Sequence, residues 1–327
     1  MPIDKVLITG GAGYIGSHCS RYFRSKGVET WILDDLSSGH GEAVDGQRLI
    51  CGDIGDGALL DRIFSTHGFD AVVHFAALAD VAGSVRDPAA YYGVNVAGMA
   101  VLLNAMVRHG ARHIVFSSSA ATYGEPERVP IDEAHPQAPV NPYGMTKLIG
   151  ERMLADYGRA YGIKYSALRY FNAAGADASG EIGESHEPEH HILPLIFQTA
   201  LGRRGAFQVF GGDYDTKDGT CLRDYVHVSD LAEAHFLALE HIMGDGASEA
   251  FNLGSGCGYT VLEVIRAFES VSGAALPFEM ADRRAGDPAR LVASNSRIRQ
   301  ALGWEPARSD IETIISSAWE WEKNRRY

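Results

Sequence analysis

The chain has 327 residues, enough for a large core and two lobes, and an ordinary apolar fraction of 46%. Its 29 Lys and Arg face 42 Asp and Glu, a formal charge of -13 with no basic run of five or more, which argues against a nucleic-acid or anionic-membrane surface. No apolar run approaches the roughly 20 residues that span a bilayer. The start MPIDKVLITGG lacks a leader layout, and Cys19, Cys51, Cys221 and Cys257 show no CxxC spacing, so free thiols in the cytoplasm are expected.

Short β-branched runs at 6–9, 31–34, 48–50, 71–75, 113–117 and 165–170 predict strands, and helical patterns at 14–26, 57–66, 91–109 and 143–161 separate them. Continuous apolar strands alternating with helices predict an α/β fold with a doubly wound parallel sheet of the Rossmann kind. After about residue 172 the rhythm changes. The segment 175–225 is rich in Gly, Pro, Asp and His around one apolar helical piece at 193–201. Helices at 229–242, 260–272 and 310–323 and a strand at 250–254 follow. The expected organisation is a dinucleotide-binding domain over 1–172 and a smaller mixed α/β substrate-binding lobe over 173–327, with 229–257 a candidate for return to the first domain.

VLITGGAGYIGSH (6–18) follows a strand and opens a helix, so Gly10, Gly13 and Gly16 form G-x-x-G-x-x-G. Glycine there permits a tight turn, close approach of backbone to a pyrophosphate, and close helix–strand packing, while the helix N-terminus offers unpaired N–H groups. Asp34 ends the second strand, 18 residues past Gly16. A carboxylate there accepts from a ribose 2′-OH and repels a 2′-phosphate, which favours NAD over NADP. Asp53, after the third strand, is placed either to meet an adenine amino group or to cap the next helix.

The fifth strand ends in FSSSAATYG (116–124), with Ser117 and Ser119 where such sheets hold ligands. NPYGMTK (141–147) follows, and puts Tyr143 one helical turn before Lys147. A phenol titrates near 10, so ionisation at neutral pH needs a fall of about three units, roughly 4 kcal/mol. Lys147 and the nicotinamide of NAD+ are the two positive charges expected to lower it, so that tyrosinate takes a hydroxyl proton while hydride leaves the attached carbon.

These residues resemble the extended short-chain dehydrogenase/reductase family and, within it, the branch of UDP-glucose (UDP-galactose) 4-epimerases. The likeness is carried by GGAGYIGSH (10–18), HFAA (74–77), SSSAATYG (117–124), NPYGMTK (141–147), RYFNAAGA (169–176), VFGGDYDTKDGTCLRDYVHVSDLA (209–232) and RRAGD (283–287). It implies NAD-dependent epimerisation at C4 of a UDP-hexose through a transient 4-keto sugar, and a homodimer in carbohydrate (galactose) metabolism. By the same resemblance Ser119, Tyr143 and Lys147 are catalytic. Tyr14, Ile15, Asp34, Asp53, Ile54, Phe75, Ala76, Ala77, Asn95, Ser117 and Phe171 line the NAD site. Asn172, His191, Ile192, Gln208, Phe210, Arg223, Arg284, Asp287 and Leu291 hold the UDP-sugar, with Arg223 and Arg284 as candidate diphosphate clamps.

The chain departs from the family pattern at Ala79, where a lysine often follows HFA, and at His191-Ile192, where Asn-Leu is frequent. His190 and His191, with His186 and Glu187 nearby, form a histidine-rich loop, but the implied reaction calls for no metal. Three rivals share the scaffold or the cofactor. A 4-epimerase for an N-acetylhexosamine or pentose is separated poorly by the sequence. A nucleotide-sugar 4,6-dehydratase carries an Asp-Glu pair where this chain has Ala120-Ala121. A non-enzymatic NAD-binding protein usually lacks the Tyr–Lys pair.

Overall fold

The computed structural model describes residues 3–283 and 287–327. In chain order the first strands are β1 (Lys5–Thr9), β2 (Glu29–Asp34), β3 (Arg48–Cys51), β4 (Ala71–His74), β5 (His113–Ser119) and β6 (Lys164–Tyr170). After them come β7 (Asn172–Ala174), β8 (Phe207–Phe210), β9 (Leu222–His227), β10 (Glu249–Leu253), β11 (Gly258–Thr260), β12 (Phe278–Ala281) and β13 (Arg290–Leu291). The helices are α1 (Tyr14–Ser25), α2 (Gly57–His67), α3 (Val81–Arg86), α4 (Pro88–Tyr92), α5 (Met99–His109), α6 (Pro142–Tyr161), α7 (Ile192–Ala200), α8 (Val228–Met243), α9 (Val261–Ser272), α10 (Ser296–Leu302) and α11 (Ile311–Lys323).

Seven parallel strands form the central sheet in the order β10-β6-β5-β4-β1-β2-β3. Alternate residues of each strand feed two cores. Val6, Ile8, Val73, Val115 and Leu168 face α1 and α8, whereas Leu7, Val72, Ile114, Phe116 and Ala167 face α2, α5 and α6. Burial on both faces is why these strands read as unbroken apolar runs. β10 pairs with β6 from Glu249↔Ser166 to Leu253↔Tyr170, so the chain returns to the central sheet after entering the second lobe. The order of the sheet reverses between β1 and β4, which opens a crevice at the carboxyl ends of the strands.

The second lobe is built on β9, flanked by β7, β11 and β13, together with the pair β8-β12. These strands are two to six residues long and mostly half-exposed, which explains why sequence periodicity did not reveal them. α3 and α10 also lay below that signal. The helix expected over 91–109 is interrupted: residues 93–98 widen into a π turn between α4 and α5. One further expectation changes. Pro88–His109 is long and apolar enough, by length and composition, to cross a membrane. In this fold its apolar face is core instead, because Met99, Leu102, Leu103, Ala105 and Met106 are buried against the sheet and α2.

A charged cluster crosses the interior behind β5. Arg169 donates to both Glu151 carboxylate oxygens at 2.9 and 2.6 Å and to Tyr123 Oη at 2.8 Å. Ser118 Oγ donates to Glu151 at 2.5 Å, and Tyr123 Oη to Asn252 Oδ1 at 2.7 Å. Arg169 and Glu151 are only 7% and 8% exposed, so removing one partner strands a buried charge. Arg169→Met is expected to cost about 3–5 kcal/mol in urea unfolding, and the Glu151→Met/Arg169→Met double variant clearly less than the sum of the singles. A loss in Arg169→Met no larger than that of an exposed Arg159→Met control would show that the pair is not holding this interior together.

Candidate active site

The crevice is made where backbone meets backbone. Gly10 adopts φ +70°, and a Cβ there would lie 2.4 Å from Ala76 N. A Cβ on Gly16 would lie 2.2 Å from Gly10 O, so α1 seats directly on the turn. Gly13 differs: its missing side chain faces only Gly10 O at 3.4 Å, which leaves its outer side open for a ligand. Tyr14 opens α1, is buried, and donates to Gly175 O at 2.6 Å, while Ile15 packs toward the α1/α8 core.

Asp34 ends β2 beside this turn, with Oδ2 accepting from Ala12 N and Oδ1 from Leu36 N, each at 2.9 Å. Burial pushes its carboxyl above the usual carboxylate range against these two bonds. Each oxygen keeps a lone pair for a ribose hydroxyl. Asp53 is exposed, two residues past Cys51, the end of β3 and the register partner of Asp34. It accepts from Gly55 N at 2.7 Å, whereas the α2 N-cap is Asp56, so Asp53 is free of the capping role. Ile54 is buried in the α2/α5 core. Phe75, Ala76 and Ala77 follow β4 at the crevice rim, and the Phe75 ring lies tilted against His235 with centres 4.7 Å apart. Asn95 sits in the π turn with its amide engaged: Oδ1 accepts from Leu78 N at 2.8 Å, and Nδ2 donates to Leu78 O and Thr146 Oγ1, each at 3.0 Å. It ties the HFAAL segment to α6.

Two contacts place Tyr143. Asn141 caps α6 by accepting from Gly144 N at 2.8 Å, with Pro142 in the first helical turn. A Cβ on Gly144 would lie 2.4 Å from Ala121 O, so the start of α6 presses onto the turn after Ser119. The Ser119 hydroxyl accepts from Ala121 N at 3.1 Å and lies near enough to the Tyr143 phenol to lower its proton affinity. Lys147 is 3% exposed, and its Nζ donates to Ser117 O at 2.8 Å and lies 5.7 Å from the Tyr143 ring centre. Ser117 Oγ accepts from the buried Tyr170 hydroxyl.

In the protein's own site burial raises the Tyr143 phenol above its ordinary 10, and the Ser119 hydroxyl lowers it only in part. Burial also brings the Lys147 ammonium down to about 7, so its charge is itself conditional at neutrality.

On the second-lobe side, Phe171 and Leu291 pack together on Ala120, Tyr123 and Ile131, which puts both against the turn that follows Ser119. Leu291 stands in register with Arg223, and Asn172 with Tyr225. Asn172 Nδ2 donates to Asp224 O at 2.7 Å. Arg223 is paired with Asp287, so the two expected ligand contacts are brought together as an ion pair. Gln208 and Phe210 share the outward face of β8, with Gln208 also donating to Glu279 at 3.0 Å. His191 and Ile192 begin α7. Arg284 lies outside the described residues.

The histidine-rich loop folds differently from its sequence grouping. Glu184, His186, Glu189 and His191 converge, while His190 turns to Asp80 at 3.6 Å. Sequence reasoning also missed Tyr170 and the Glu151–Arg169 pair behind the serines. RYFN contained both Arg169 and Tyr170, and a charged residue inside an apolar strand was the available signal.

The donor set fits a dinucleotide: an open glycine turn at a helix N-terminus, a carboxylate at the ribose position, and a buried lysine and tyrosine across the same crevice. Asp34, Gly13, Tyr14 and Lys147 are the residues that would hold it.

Comparison with known proteins gives the same picture. Residues 6–254 match the model of the NAD dependent epimerase/dehydratase family. UDP-glucose 4-epimerase of Halalkalibacterium halodurans is 51% identical over 97% of this chain and 95% of its own length. That of Rhizobium meliloti is 50% identical over 99% of both. A crystal structure of UDP-glucose 4-epimerase from Brucella ovis in complex with NAD superposes with a TM-score of 0.95 at 47% identity, covering 98% of each chain. With a family model matched over most of its length and relatives of this identity end to end, the chain belongs to the NAD dependent epimerase/dehydratase family.

Proposed function

We propose that this chain inverts C4 of a UDP-hexose, interconverting UDP-glucose and UDP-galactose with NAD as a retained cofactor. The observation that carries the reading is Tyr143 on the helix whose start presses onto the turn after Ser119, one turn before the buried Lys147, whose Nζ lies 5.7 Å from the phenol ring centre. NAD, when bound, supplies the acceptor and donor of hydride. Ser119 holds the C4 hydroxyl, and Tyr143 takes and returns its proton on either side of a transient 4-keto sugar. Lys147, fixed by Ser117 O, contributes positive charge beside the phenol. The full-length relatives named UDP-glucose 4-epimerase support the substrate class, and the Brucella ovis enzyme's NAD supports the cofactor.

Against the 4,6-dehydratase reading stand Ala120 and Ala121, whose methyl groups in the turn after Ser119 have no proton to exchange. A homodimer in the cytoplasm is part of the same proposal. It is supported by the resemblance and by four cysteines that are all free thiols.

Tyr143→Phe is expected to lower turnover by about 10² to 10⁴-fold while keeping the fold, since it removes one hydroxyl. In cofactor-stripped protein, the tyrosinate absorbance step missing from Tyr143→Phe should fall above pH 10 in the wild type and higher still in Ser119→Ala, because the Ser119 hydroxyl is what lowers it. Wild-type turnover in Tyr143→Phe, or a step that moves down in Ser119→Ala, would remove these roles.

Because hydride leaves and returns within one cycle, purified protein should release about one NAD per chain on denaturation, the net redox change being zero. Recovery of NADP in place of NAD would contradict the role given to Asp34.

Leu291 is the position to test for sugar range. By the family resemblance its side chain lies near the hexose C2 region, and its packing on the Ala120, Tyr123 and Ile131 cluster keeps it beside the Ser119 turn. Leucine leaves more room than tyrosine for an acetamido group. UDP-glucose and UDP-galactose should be the main pair, with turnover of UDP-N-acetylglucosamine slower by about 10–200-fold, as pocket fit of this kind allows. Leu291→Tyr should abolish the N-acetyl activity and spare the hexose activity. An unchanged substrate ratio in that variant would show that the position is not the gate.

A further inference from the structure

Between β7 and α7 the chain runs through GEIGESHEPEHHI (180–192). Within eight consecutive residues, Glu184, His186, Glu189 and His191 each direct one ligand atom to a common point, all within 4.8 Å of one another. Glu184 Oε1 lies 3.4 Å from His186 Nδ1, and Glu189 Oε2 lies 3.7 Å from the same nitrogen. His191 Nδ1 is 3.7 Å from Glu189 Oε1 and in closer contact with Glu184. Hydrogen bonds between nitrogen and oxygen are made at about 2.7–3.2 Å, so three of these four separations are too long for one. The two separations at His186 Nδ1 are near the ligand–ligand edge of a tetrahedral zinc site, about 3.4 Å for bonds of about 2.1 Å, whereas Glu184 and His191 are hydrogen-bonded to each other.

A second observation is independent of the clustering. His186 Nδ1 and Glu189 Oε2 are buried and have no hydrogen-bond partner. The Glu189 side chain is only 3% exposed. Its other oxygen, Oε1, accepts from the backbone N–H groups of His190 and His191 at 2.7 and 2.9 Å, which fixes the carboxylate and leaves Oε2 aimed at the common point. A buried carboxylate oxygen without a donor is costly, and a cation at the centre would satisfy it and His186 Nδ1 together.

We propose that Glu184, His186, Glu189 and His191 form a binding site for one divalent cation of the zinc class. Two imidazole nitrogens with two carboxylate oxygens suit zinc better than magnesium or calcium, which prefer all-oxygen shells. Four protein ligands close the shell, so the ion is structural and takes no part in the chemistry at Tyr143. Its effect is mechanical. The His186 ring lies edge-on to Tyr14 at the start of α1, with centres 6.4 Å apart, and His191 is the residue from which α7 starts. An ion there would fasten the second lobe's entry segment against the glycine turn of the first domain.

The test uses the full chain, stripped with a chelator and titrated with zinc chloride in competition with a chromophoric chelator of micromolar affinity. One equivalent of zinc per chain is expected to bind, with a rise in melting temperature, and magnesium or calcium chloride should give neither. Glu189→Gln and His186→Asn should each weaken zinc binding by about 10-fold or more and abolish the thermal shift. His190→Ala, whose ring turns away to Asp80, should bind like the wild type. Circular dichroism identifies a misfolded variant, and the more exposed His186 position then decides alone. Less than a quarter equivalent of zinc bound by the wild type, or binding that survives both His186→Asn and Glu189→Gln, overturns the site.

Discussion

The constraint on which the site depends is the approach of backbone to backbone at the carboxyl edge of the sheet. At Gly10 a Cβ would collide with Ala76 N, at Gly16 with Gly10 O, and at Gly144 with Ala121 O, at 2.4, 2.2 and 2.4 Å. Any side chain at these positions pushes β1 from β4, α1 from its turn, or α6 from the end of β5. The first two contacts shape the cradle and the third carries Tyr143 onto Ser119. Catalytic geometry and cofactor geometry thus rest on the same physical fact, three missing methyl groups.

Behind that edge the protein keeps charge inside the fold where an apolar core would be expected. The Arg169–Glu151 pair is not evidence of added stability, because desolvating both ions offsets much of their attraction. What the pair does supply is direction. Glu151 holds Ser118, Arg169 holds Tyr123, and Tyr123 packs with Ile131, Phe171 and Leu291 on the second-lobe side. The turn from Ser119 to Tyr123 is therefore clamped from below by hydrogen bonds and from the side by apolar contact. β13, which carries Leu291, is joined to β9 in register with Arg223, so the same clamp reaches the residues expected to hold the diphosphate.

The central sheet was legible because its strands are buried on both faces and separated by amphipathic helices, a pattern that survives in sequence as β-branched runs at regular spacing. The glycine turn, Asp34, Ser119, Tyr143 and Lys147 were legible because their chemistry needs those residue types at those offsets. The second lobe was not, for a physical reason: β7, β11 and β13 are three, three and two residues long, too short to show a period, and β8 and β12 expose alternate or successive side chains at an edge. Asn95 could be assigned to the site by resemblance, but its engaged amide, tying Leu78 to Thr146, is a tertiary fact. The loop from Glu184 to His191 shows the same limit. Its histidines were visible, but which carboxylates they meet depended on the fold, and Glu184 and Glu189 replaced the sequence neighbours Glu187 and His190.

The two titrating groups of the crevice are shifted in opposite senses by one cause. Burial disfavours charge, so it raises the Tyr143 phenol above its ordinary value and brings Lys147 down to about 7. In the protein's own site the tyrosine keeps its proton and the lysine is close to losing one. Neither group alone is poised for proton transfer at neutral pH, and bringing them together does not suffice while Nζ is turned to Ser117 O. Positive charge held beside them by the residues that would bind a dinucleotide would act on both groups in the same direction, lowering the proton affinity of phenol and ammonium alike. The tyrosine then moves toward neutrality from above. Proton uptake by Tyr143 is in this way conditional on occupancy of the cradle, and that condition is built from burial rather than from any single ion pair.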